Sequence, residues 1–503
     1  MYQKSSLKKN TIANYIGQFY TMFIGIFMLP FYLKYLGAEA YGLVGFFTVL
    51  MSWMVLLDLG LSATLARETA KLKDKINGLL ELKKMTLSIE VFFVLISIFI
   101  FSAMFFGSAW ISTHWLSVKE LSYETVESAV KIMAFMIVLR WFVGLYQGTI
   151  IGFEHHIWLN IYKIVFSTLK FIGAFLLIVY VSNDIVHFFY FQLIVAIFEF
   201  IVIKFKVDSY MKVSQKVSPS FITLKQIAPF ALNIAYISAI TVFIGQLDRL
   251  MLSHYLTLKE YGFFTLVILV SGAIVQFFQP IGQAILPRMT SLLSNGQEKE
   301  MITLYHKATQ IVAIVVLSVS GMVAVFAYEL LYAWTGNIEA SKWAAPILFW
   351  YALGNGAVAL LSFQFYMQYA HGNLKYHVKG NTYFGFVQII VVILAVHFYG
   401  ALGAGIAWFG LQTFFLLWWP GFIHSKFAPG IHKNWVFKDI LPSLLMSLVY
   451  LFLMKNVGID FSENRLILFF TLIGLGLGLL FLNTVVLQEG RKVLTRIILR
   501  RGI

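Results

Sequence analysis

The sequence has no cysteine, little charge and few acidic residues. None of its 503 residues is Cys, 12% are charged, and only 23 are Asp or Glu. The lack of cysteine excludes a disulfide framework and a thiolate metal site. The low charge argues against a soluble domain, in which about 25% of residues are charged. Because 60% of the residues are hydrophobic instead, the composition predicts a polytopic membrane protein.

Apolar runs long enough to cross a bilayer, about 20 residues each, recur along the whole chain. The first begins near Ile12 and is too long for the apolar core of a signal peptide, so we expect an uncleaved first span. The pattern predicts an all-α protein with about 14 transmembrane helices. The spans are placed at 12–34, 41–63, 86–107, 126–149, 157–180, 185–205, 227–253, 261–286, 308–331, 344–369, 378–399, 401–423, 439–456 and 465–487.

Lysine and arginine are concentrated in every second loop. Clusters lie at 67–84, 204–225 and 491–501, whereas the alternate loops carry isolated cations such as Lys119 and Lys259. Positive residues collect on the cytoplasmic side of a membrane, which explains the net charge of +15 without a nucleic-acid partner. Since the alternation never reverses, we expect a multi-pass membrane protein with both termini in the cytoplasm.

The longest polar connection separates the sixth predicted span from the seventh. It contains Pro219 and several serines, a composition typical of a linker. We therefore predict a six-helix lobe at 1–206, a cytoplasmic linker at 207–226 and a second six-helix lobe at 227–426. Two additional C-terminal helices and a basic cytoplasmic tail are predicted at 427–503.

An internal repeat relates the two predicted lobes. TMFIG at 21–25 matches TVFIG at 241–245, and YLGAEAYG at 35–42 matches YLTLKEYG at 255–262, in both cases 220 residues apart. Each copy runs outward, turns and returns to a basic loop, so the repeat is parallel. Parallel repeats about an axis along the membrane normal are found in transporters.

The segments LPFYLKYLGAEAYG and LDLGLSATLARE resemble the opening of Wzx-type polysaccharide (O-antigen) exporters, which are flippases. The segment QLDRLMLSHYLTLKEYGFFTL, followed by ILPRMTSLLSNG, resembles their seventh and eighth spans, and ELLYAWTGN and FQFYMQYAHGN resemble later landmarks. These exporters belong to the multidrug/oligosaccharidyl-lipid/polysaccharide (MOP) superfamily. The resemblance implies two six-helix lobes around a central cavity, alternating access and two extra C-terminal helices. It also implies a location in the bacterial cytoplasmic (inner) membrane.

Ionisable side chains inside a bilayer are costly and are therefore candidates for function. Four cations, Lys131, Arg140, Lys163 and Lys170, lie in the predicted fourth and fifth spans, and Lys163 and Lys170 are spaced to share a helix face. Arg binds a phosphate through two hydrogen bonds and Lys binds it as a point charge. We therefore predict a cationic cavity for a lipid diphosphate. Alternatively, an internal carboxylate, Glu199, Asp58 or Glu90, neutralises Arg140, and Lys131 and Lys163 extend to the lipid headgroups.

Acidic residues in predicted spans are candidates for ion coupling. Asp58 and Glu199 qualify as proton or coupling-ion sites if burial favours the protonated carboxyl group. Asp248 and Arg249 are adjacent in sequence and so face different sides of a helix. One of them is a candidate for the cavity wall, with a structural ion pair between the lobes as the equal alternative.

Two arginines end equivalent spans. Arg67 and Arg288 are candidates for gating the cytoplasmic mouth or for attracting an anionic headgroup, although anchoring of the helices on the positive side is the simpler explanation. The pair His155–His156 has only Glu154 as a neighbouring acidic ligand, so no metal site is expected.

The predicted function is a flippase that moves an undecaprenyl-diphosphate-linked oligosaccharide to the outer leaflet for O-antigen, lipopolysaccharide or capsule biosynthesis. A lipid II flippase and a drug or cation antiporter of the same superfamily are the alternatives. A membrane glycan polymerase is the weakest alternative, because no large outer loop is available to hold an acid/base pair. No cofactor is expected. The expected partners are the lipid-linked substrate, membrane lipids, H+ or Na+ as a coupling ion, and the glycan polymerase machinery.

Overall fold

The computed structural model describes residues 7–457, 464–492 and 495 of the chain. These residues form helices and contain no strand. The N-terminal residues 1–6 and most of the predicted basic tail, including Arg496, Arg500 and Arg501, lie outside the described residues. The all-helical fold class predicted from composition is confirmed.

The chain divides into two compact units, 1–262 and 263–503. The predicted lobe boundaries at 206 and 227 stay a prediction. The helices that begin in the first unit are α1 (Leu7–Leu36), α2 (Ala38–Leu57), α3 (Leu61–Leu72), α4 (Gly78–Trp110), α5 (Tyr123–Gly152), α6 (His156–Thr168), α7 (Ala174–Tyr180), α8 (Ile185–Tyr210), α9 (Phe221–Tyr255) and α10 (Leu258–Ser294).

The second unit contains the rest of α10 and seven further described helices. They are α11 (Glu298–Val325), α12 (Ala327–Thr335), α13 (Ile338–Ala370), α14 (Lys375–Phe427), α15 (Ile431–Asn434), α16 (Leu441–Asn456) and α17 (Arg465–Val486).

The described residues supply 14 apolar segments of membrane-spanning length. Thirteen helical stretches are long and apolar enough to cross a membrane. One of them, α14, has 53 residues, or about 80 Å of helix at 1.5 Å per residue, against a hydrocarbon core of about 30 Å. Gly400 interrupts it with φ 55° and ψ −139°. The segments before and after Gly400 are therefore two helices, at the positions predicted for the eleventh and twelfth spans.

The second predicted span, 41–63, is wrong as a continuous helix. The chain leaves α2 and enters α3 through Leu59 and Gly60, whose φ values are 49° and 70°. A Cβ atom at Gly60 would lie 2.4 Å from the carbonyl oxygen of Ala231 on α9. The break therefore allows close packing of α9, a tertiary cause that the apolar run alone does not reveal.

The two copies of the repeated turn meet within the first unit. A Cβ atom at Gly42 would lie 2.0 Å from the carbonyl oxygen of Leu258, and one at Gly262 would lie 2.2 Å from that of Ala38. Under the 220-residue offset, Gly42 corresponds to Gly262 and Ala38 to Leu258, so the contact is reciprocal. Backbones this close leave no room for a side chain, which explains the glycine in both copies.

The connection between α4 and α5 is bound to both copies of this turn. The buried carboxylate of Glu39 accepts hydrogen bonds from the backbone N–H groups of Lys119 and Glu120 at 2.6 and 2.5 Å. On the second copy, the N–H of Leu258 donates to the carbonyl oxygen of Ser117 at 3.0 Å. The predicted outer loop is thus short and tightly held, and it forms no separate domain.

The two C-terminal helices pack against α11 and α12 in the second unit. Leu451 on α16 and Leu468, Leu472 and Leu479 on α17 are buried in this contact. Near the other end of α17, Asn483 donates hydrogen bonds to Ser318 on α11 and Ser447 on α16, at 2.8 and 2.9 Å. Apolar packing and an amide bridge therefore fix the extra helices to the bundle.

Candidate functional site

Arg140, Lys170 and Glu199 come together inside the first unit. Arg140 lies on α5 and Glu199 on α8, while Lys170 lies in a π-helical turn, 169–173, that joins α6 to α7. α5 packs against α8 along much of its length. Three segments separate in sequence thus place two cations and one carboxylate in one cluster, which we call the Arg140 cluster.

Lys170 and Glu199 form a buried ion pair. The Lys170 Nζ lies 2.5 Å from Oε1 of Glu199, and the side chains are 23% and 7% exposed. The second carboxylate oxygen of Glu199, Oε2, is buried without a hydrogen-bond partner among the described residues. Only one of the two carboxylate oxygens of Glu199 therefore has a partner, which is the ammonium group of Lys170.

Arg140 has no direct carboxylate partner in the described part of the chain. Its Nη2 donates to the Oε1 of Gln192 at 3.2 Å, and the guanidinium lies 5.1 Å from the ring centroid of Phe47. Its Nε is buried and unpartnered. The alternative in which Glu199 or Glu90 forms an ion pair with Arg140 does not describe this structure. The guanidinium keeps unused hydrogen-bonding capacity.

Gln192 connects the two cations. While its Oε1 accepts from Arg140, its Nε2 donates to the carbonyl oxygen of Lys170 at 2.8 Å. Tyr32 on α1 donates from its hydroxyl to the carbonyls of Lys170 and Phe171, at 3.2 and 2.7 Å. A π turn frees carbonyls from the helical pattern, and such turns are frequent at functional sites. Gln192 and Tyr32 therefore stabilise the turn that carries Lys170.

The sequence analysis did not identify Gln192 or Tyr32. Both are uncharged, and the search for costly groups inside the membrane considered only ionisable ones. Gln192 is a polar side chain in an otherwise apolar run on α8, which is a usable signal. Tyr32 has no such signal, because tyrosine is abundant throughout the chain. The π turn also interrupts the helical period on which the predicted shared face of Lys163 and Lys170 depended.

Lys131 and Lys163 lie outside the Arg140 cluster. Lys131 is paired with Glu127, one turn away on α5, at 2.6 Å, and its side chain is 38% exposed. Lys163 is half-buried on α6 and has no hydrogen bond or ion pair within the described ranges. Of the four cations predicted to form a cavity, the structure brings together Arg140 and Lys170.

Asp58 caps the break between α2 and α3. Its Oδ2 accepts from the N–H of Ser62 at 3.2 Å, and its Oδ1 accepts from the Ser62 hydroxyl. This arrangement satisfies free donors at the start of α3. On α9, the buried carboxylate of Asp248 accepts from the N–H of Arg249 at 2.8 Å, and the carbonyl of Arg249 accepts from Tyr261. Asp58 and Asp248 therefore both bind local backbone donors.

Arg67 and Arg288 are exposed at helix surfaces. The Nη1 of Arg67 lies 2.9 Å from Glu68, and its guanidinium stacks over the ring of Phe230 at 4.1 Å. These contacts agree with the anchoring explanation for Arg67, and the proposed gating role of both arginines stays a prediction.

A second charged cluster occupies the ends of α4 and α8. Lys204 lies 2.9 Å from Glu90 and 3.1 Å from Asp208, and Lys83 lies 2.7 Å from Asp208. Tyr146 donates to Glu90 at 2.8 Å. Glu90, which the sequence offered as a partner for Arg140, is thus paired with Lys204.

A polar network that sequence reasoning missed lies in the second unit. Asp439 contacts His306 and accepts from the Nε2 of Gln310 at 2.8 Å. Nearby, Tyr305 hydrogen-bonds His424 at 2.7 Å, and His424 contacts His432 at 3.0 Å. We call these residues the Asp439 network. Its members are spread over more than 130 residues, so no local spacing points to them.

Solved membrane transporters share the fold of this helix bundle. The lipid II flippase MurJ in an inward closed conformation matches with a TM-score of 0.71 at 16% identity, over 93% of this chain and 97% of MurJ. An inward-facing multidrug resistance MATE transporter of the MOP superfamily matches at 0.60 and 15% identity, over 82% and 96%. A MOP superfamily transporter from Pyrococcus furiosus matches at 0.53 and 15%, over 84% and 97%.

The family model for polysaccharide biosynthesis proteins matches residues 7–293, more than half of the chain. The chain belongs to this family, and it shares its fold with solved transporters of the MOP superfamily. No curated protein sequence matches it significantly. The membership expected from the segments around Gly37 and Asp58 is thereby confirmed.

Proposed function

We propose that this protein is a flippase that carries an undecaprenyl-diphosphate-linked oligosaccharide across the cytoplasmic membrane by alternating access. The observation that supports this most is the Arg140 cluster, in which two cations lie close together with one carboxylate, which pairs with Lys170, inside the first unit. The delivered glycan serves a surface polysaccharide such as O-antigen or capsule. In this proposal both termini lie in the cytoplasm.

The cluster is suited to an anionic group. A diphosphate carries at least two negative charges and many acceptor oxygens, whereas Arg140 has a free Nε and Lys170 has only one ion-pair partner. Binding of a phosphate to Lys170 displaces Glu199, whose carboxylate then needs a proton or another cation, because a lone buried charge is costly. Glu199 is therefore our first candidate for coupling to H+ or Na+.

The other predicted residues have weaker support. Lys131 is engaged on the surface of α5, and Lys163 approaches none of the cluster residues through a hydrogen bond in the described structure. Asp58 and Asp248 bind local backbone donors, so we place both after Glu199 as coupling sites.

A drug or cation antiporter fits this site poorly, since a cationic substrate requires an excess of carboxylates. A lipid II flippase fits as well as an oligosaccharide exporter at the level of the diphosphate, because both substrates carry that group on a lipid. The family description favours the exporter. Viability distinguishes the two, since loss of lipid II transport stops cell-wall synthesis and loss of surface polysaccharide does not.

The test is deletion of the gene, with a plasmid copy as the control. We expect a viable strain that lacks the surface glycan and accumulates undecaprenyl-diphosphate-linked repeat units in the inner leaflet, and restoration of export by the plasmid. Normal surface glycan without accumulation, in a strain with no second exporter, contradicts the proposal. An inviable strain that accumulates lipid II supports the alternative, and a change in drug resistance alone supports the antiporter.

A further inference from the structure

A cavity of about 420 Å³ opens in the first unit, away from the Arg140 cluster. It lies between the start of α4, the end of α8 and the segment that follows α8. Its wall includes Lys83 and Leu87 from α4, Phe205 and Asp208 from α8, and Lys212 from the following segment. These are the ends that the distribution of lysine assigns to the cytoplasmic side.

The polar side of this cavity is cationic. Asp208 is shared by Lys83 at 2.7 Å and Lys204 at 3.1 Å, so its charge is already neutralised. Lys212 is exposed and has no ion-pair partner among the described residues. With Glu90 bound to Lys204 at 2.9 Å, the group contains three lysines and two carboxylates. An anion entering the cavity therefore meets one uncompensated ammonium group.

The other side of the cavity is apolar and open. Phe205, which lies in the cavity wall, is 78% exposed on a membrane-spanning helix, and Leu87 and Val217 also line the cavity. An apolar side chain exposed on a membrane-spanning helix contacts the acyl chains of lipids rather than water. An occupant must therefore combine a negative headgroup with an apolar body and must enter from the cytoplasmic leaflet.

We infer that this cavity binds the headgroup of an anionic glycerophospholipid, with its phosphate on Lys212 and Lys83 and its acyl chains along Phe205. Basic pockets between helices on the cytoplasmic side of membrane proteins have the right chemistry for such headgroups. The bound lipid joins α4, α8 and the segment 211–217, which precedes α9. The site requires neither Arg140 nor a lipid-linked glycan, so the inference is independent of the transported substrate.

Lipid binding is measured by native mass spectrometry of the full-length protein in detergent, titrated with phosphatidylglycerol or with phosphatidylcholine of the same chains. We expect one phosphatidylglycerol to bind preferentially and Lys212→Gln to weaken that binding about fivefold, the effect of one lysine near an anionic lipid. Lys212→Arg should restore it. The matched control is Lys216→Gln, which removes the same charge four residues away and outside the cavity wall, and should change binding less than twofold.

Three results would overturn the inference. The first is equal binding of phosphatidylcholine and phosphatidylglycerol. The second is equal weakening by Lys212→Gln and Lys216→Gln, which would indicate general surface charge. The third is displacement of the lipid by millimolar inorganic phosphate or by undecaprenyl diphosphate at lower concentration than phosphatidylglycerol, which would make the cavity a phosphate or carrier site.

Discussion

Two buried polar clusters, one in each unit, differ in how completely their hydrogen bonds are made. In the Asp439 network, both carboxylate oxygens of Asp439 have partners, in His306 and Gln310. In the Arg140 cluster, the Nε of Arg140 and the Oε2 of Glu199 are buried without partners. The network in the second unit is closed, whereas the cluster in the first unit keeps one free donor and one free acceptor.

This difference separates a structural role from a binding role. Buried polar groups in native proteins are nearly always paired, and an unpaired one costs about 1–3 kcal/mol. A cluster that only joined helices would gain from pairing all its groups, as the Asp439 network does. Hydrogen-bonding groups without partners, next to an excess of positive charge, are instead suited to binding an anionic ligand. Substitutions at four positions test this comparison.

Replacing Arg140 should have the largest effect. Arg140→Ala removes a charge-assisted interaction with phosphate worth about 1.5–3 kcal/mol, so we expect export to fall by more than about tenfold at unchanged protein level. Arg140→Lys should restore it only partly, because an ammonium group lacks the two-pronged geometry. The measurement is surface glycan in the complemented deletion strain, normalised to protein by immunoblot. Lys84→Ala, which removes an exposed cation, is the control. Normal export by Arg140→Ala would disprove the role of the cluster.

Replacing Asp439 should affect stability and leave transport by each folded molecule unchanged. Asp439→Asn removes the negative charge and leaves a single acceptor oxygen for two partners, His306 and Gln310, so we expect the free energy of unfolding to fall by about 1–3 kcal/mol. Thermal unfolding in detergent measures this, and export is normalised to the amount of folded protein. Glu300→Gln, at an acidic position at the exposed start of α11, is the matched control. A loss of export per molecule would show that the closed network also takes part in transport.

Most of the architecture could be predicted from the sequence, because membrane spans are encoded locally. Each span needs its own apolar run, and the 220-residue offset between the turns at Gly42 and Gly262 was readable without coordinates. The break at Leu59 and Gly60 was not, since it depends on α9 packing against Gly60. Elements fixed by composition were predictable, and an interruption fixed by a distant helix was not.

The candidate site was predictable only in part. Arg140 and Lys170 were identified because a charge inside a membrane is rare, yet the same rule selected Lys131 and Lys163, which lie elsewhere. Which charges meet depends on helix packing and on a π turn, and neither has a local sequence pattern. Gln192 was missed because an uncharged polar residue costs less to bury and stands out less.

Replacing Gln192 should have a smaller effect than replacing Arg140. Gln192→Leu removes two hydrogen bonds of about 1 kcal/mol each but leaves both cations in place, so we expect export between those of the wild type and Arg140→Ala. Gln192→Glu gives Arg140 a carboxylate partner and balances the cluster at two cations and two carboxylates. If free positive charge matters, Gln192→Glu should lower export although it supplies a stronger bond to Arg140. Export at or above the wild-type level in the same surface-glycan assay would contradict the cationic-site interpretation.

The smallest effect is expected at an ion pair whose carboxylate is exposed, which gives the baseline for both clusters. Lys73 lies 2.8 Å from Glu154 in the connection before α6, and its hydrogen bond lowers the pKa of the Glu154 carboxyl group. Because the pKa is lower in the folded state, the stabilisation is complete above the unfolded value of about 4.3 and is lost as the pH falls through the folded value. Glu154→Gln should therefore lower the free energy of unfolding by less than about 1 kcal/mol at pH 7, and should leave it unchanged at a pH where the carboxyl group is protonated.

Thermal unfolding measured as a function of pH tests this expectation, with Lys73→Gln as the matched control. If Glu154→Gln lowers the free energy of unfolding at pH 7 as much as Asp439→Asn does, burial is not what distinguishes the Asp439 network.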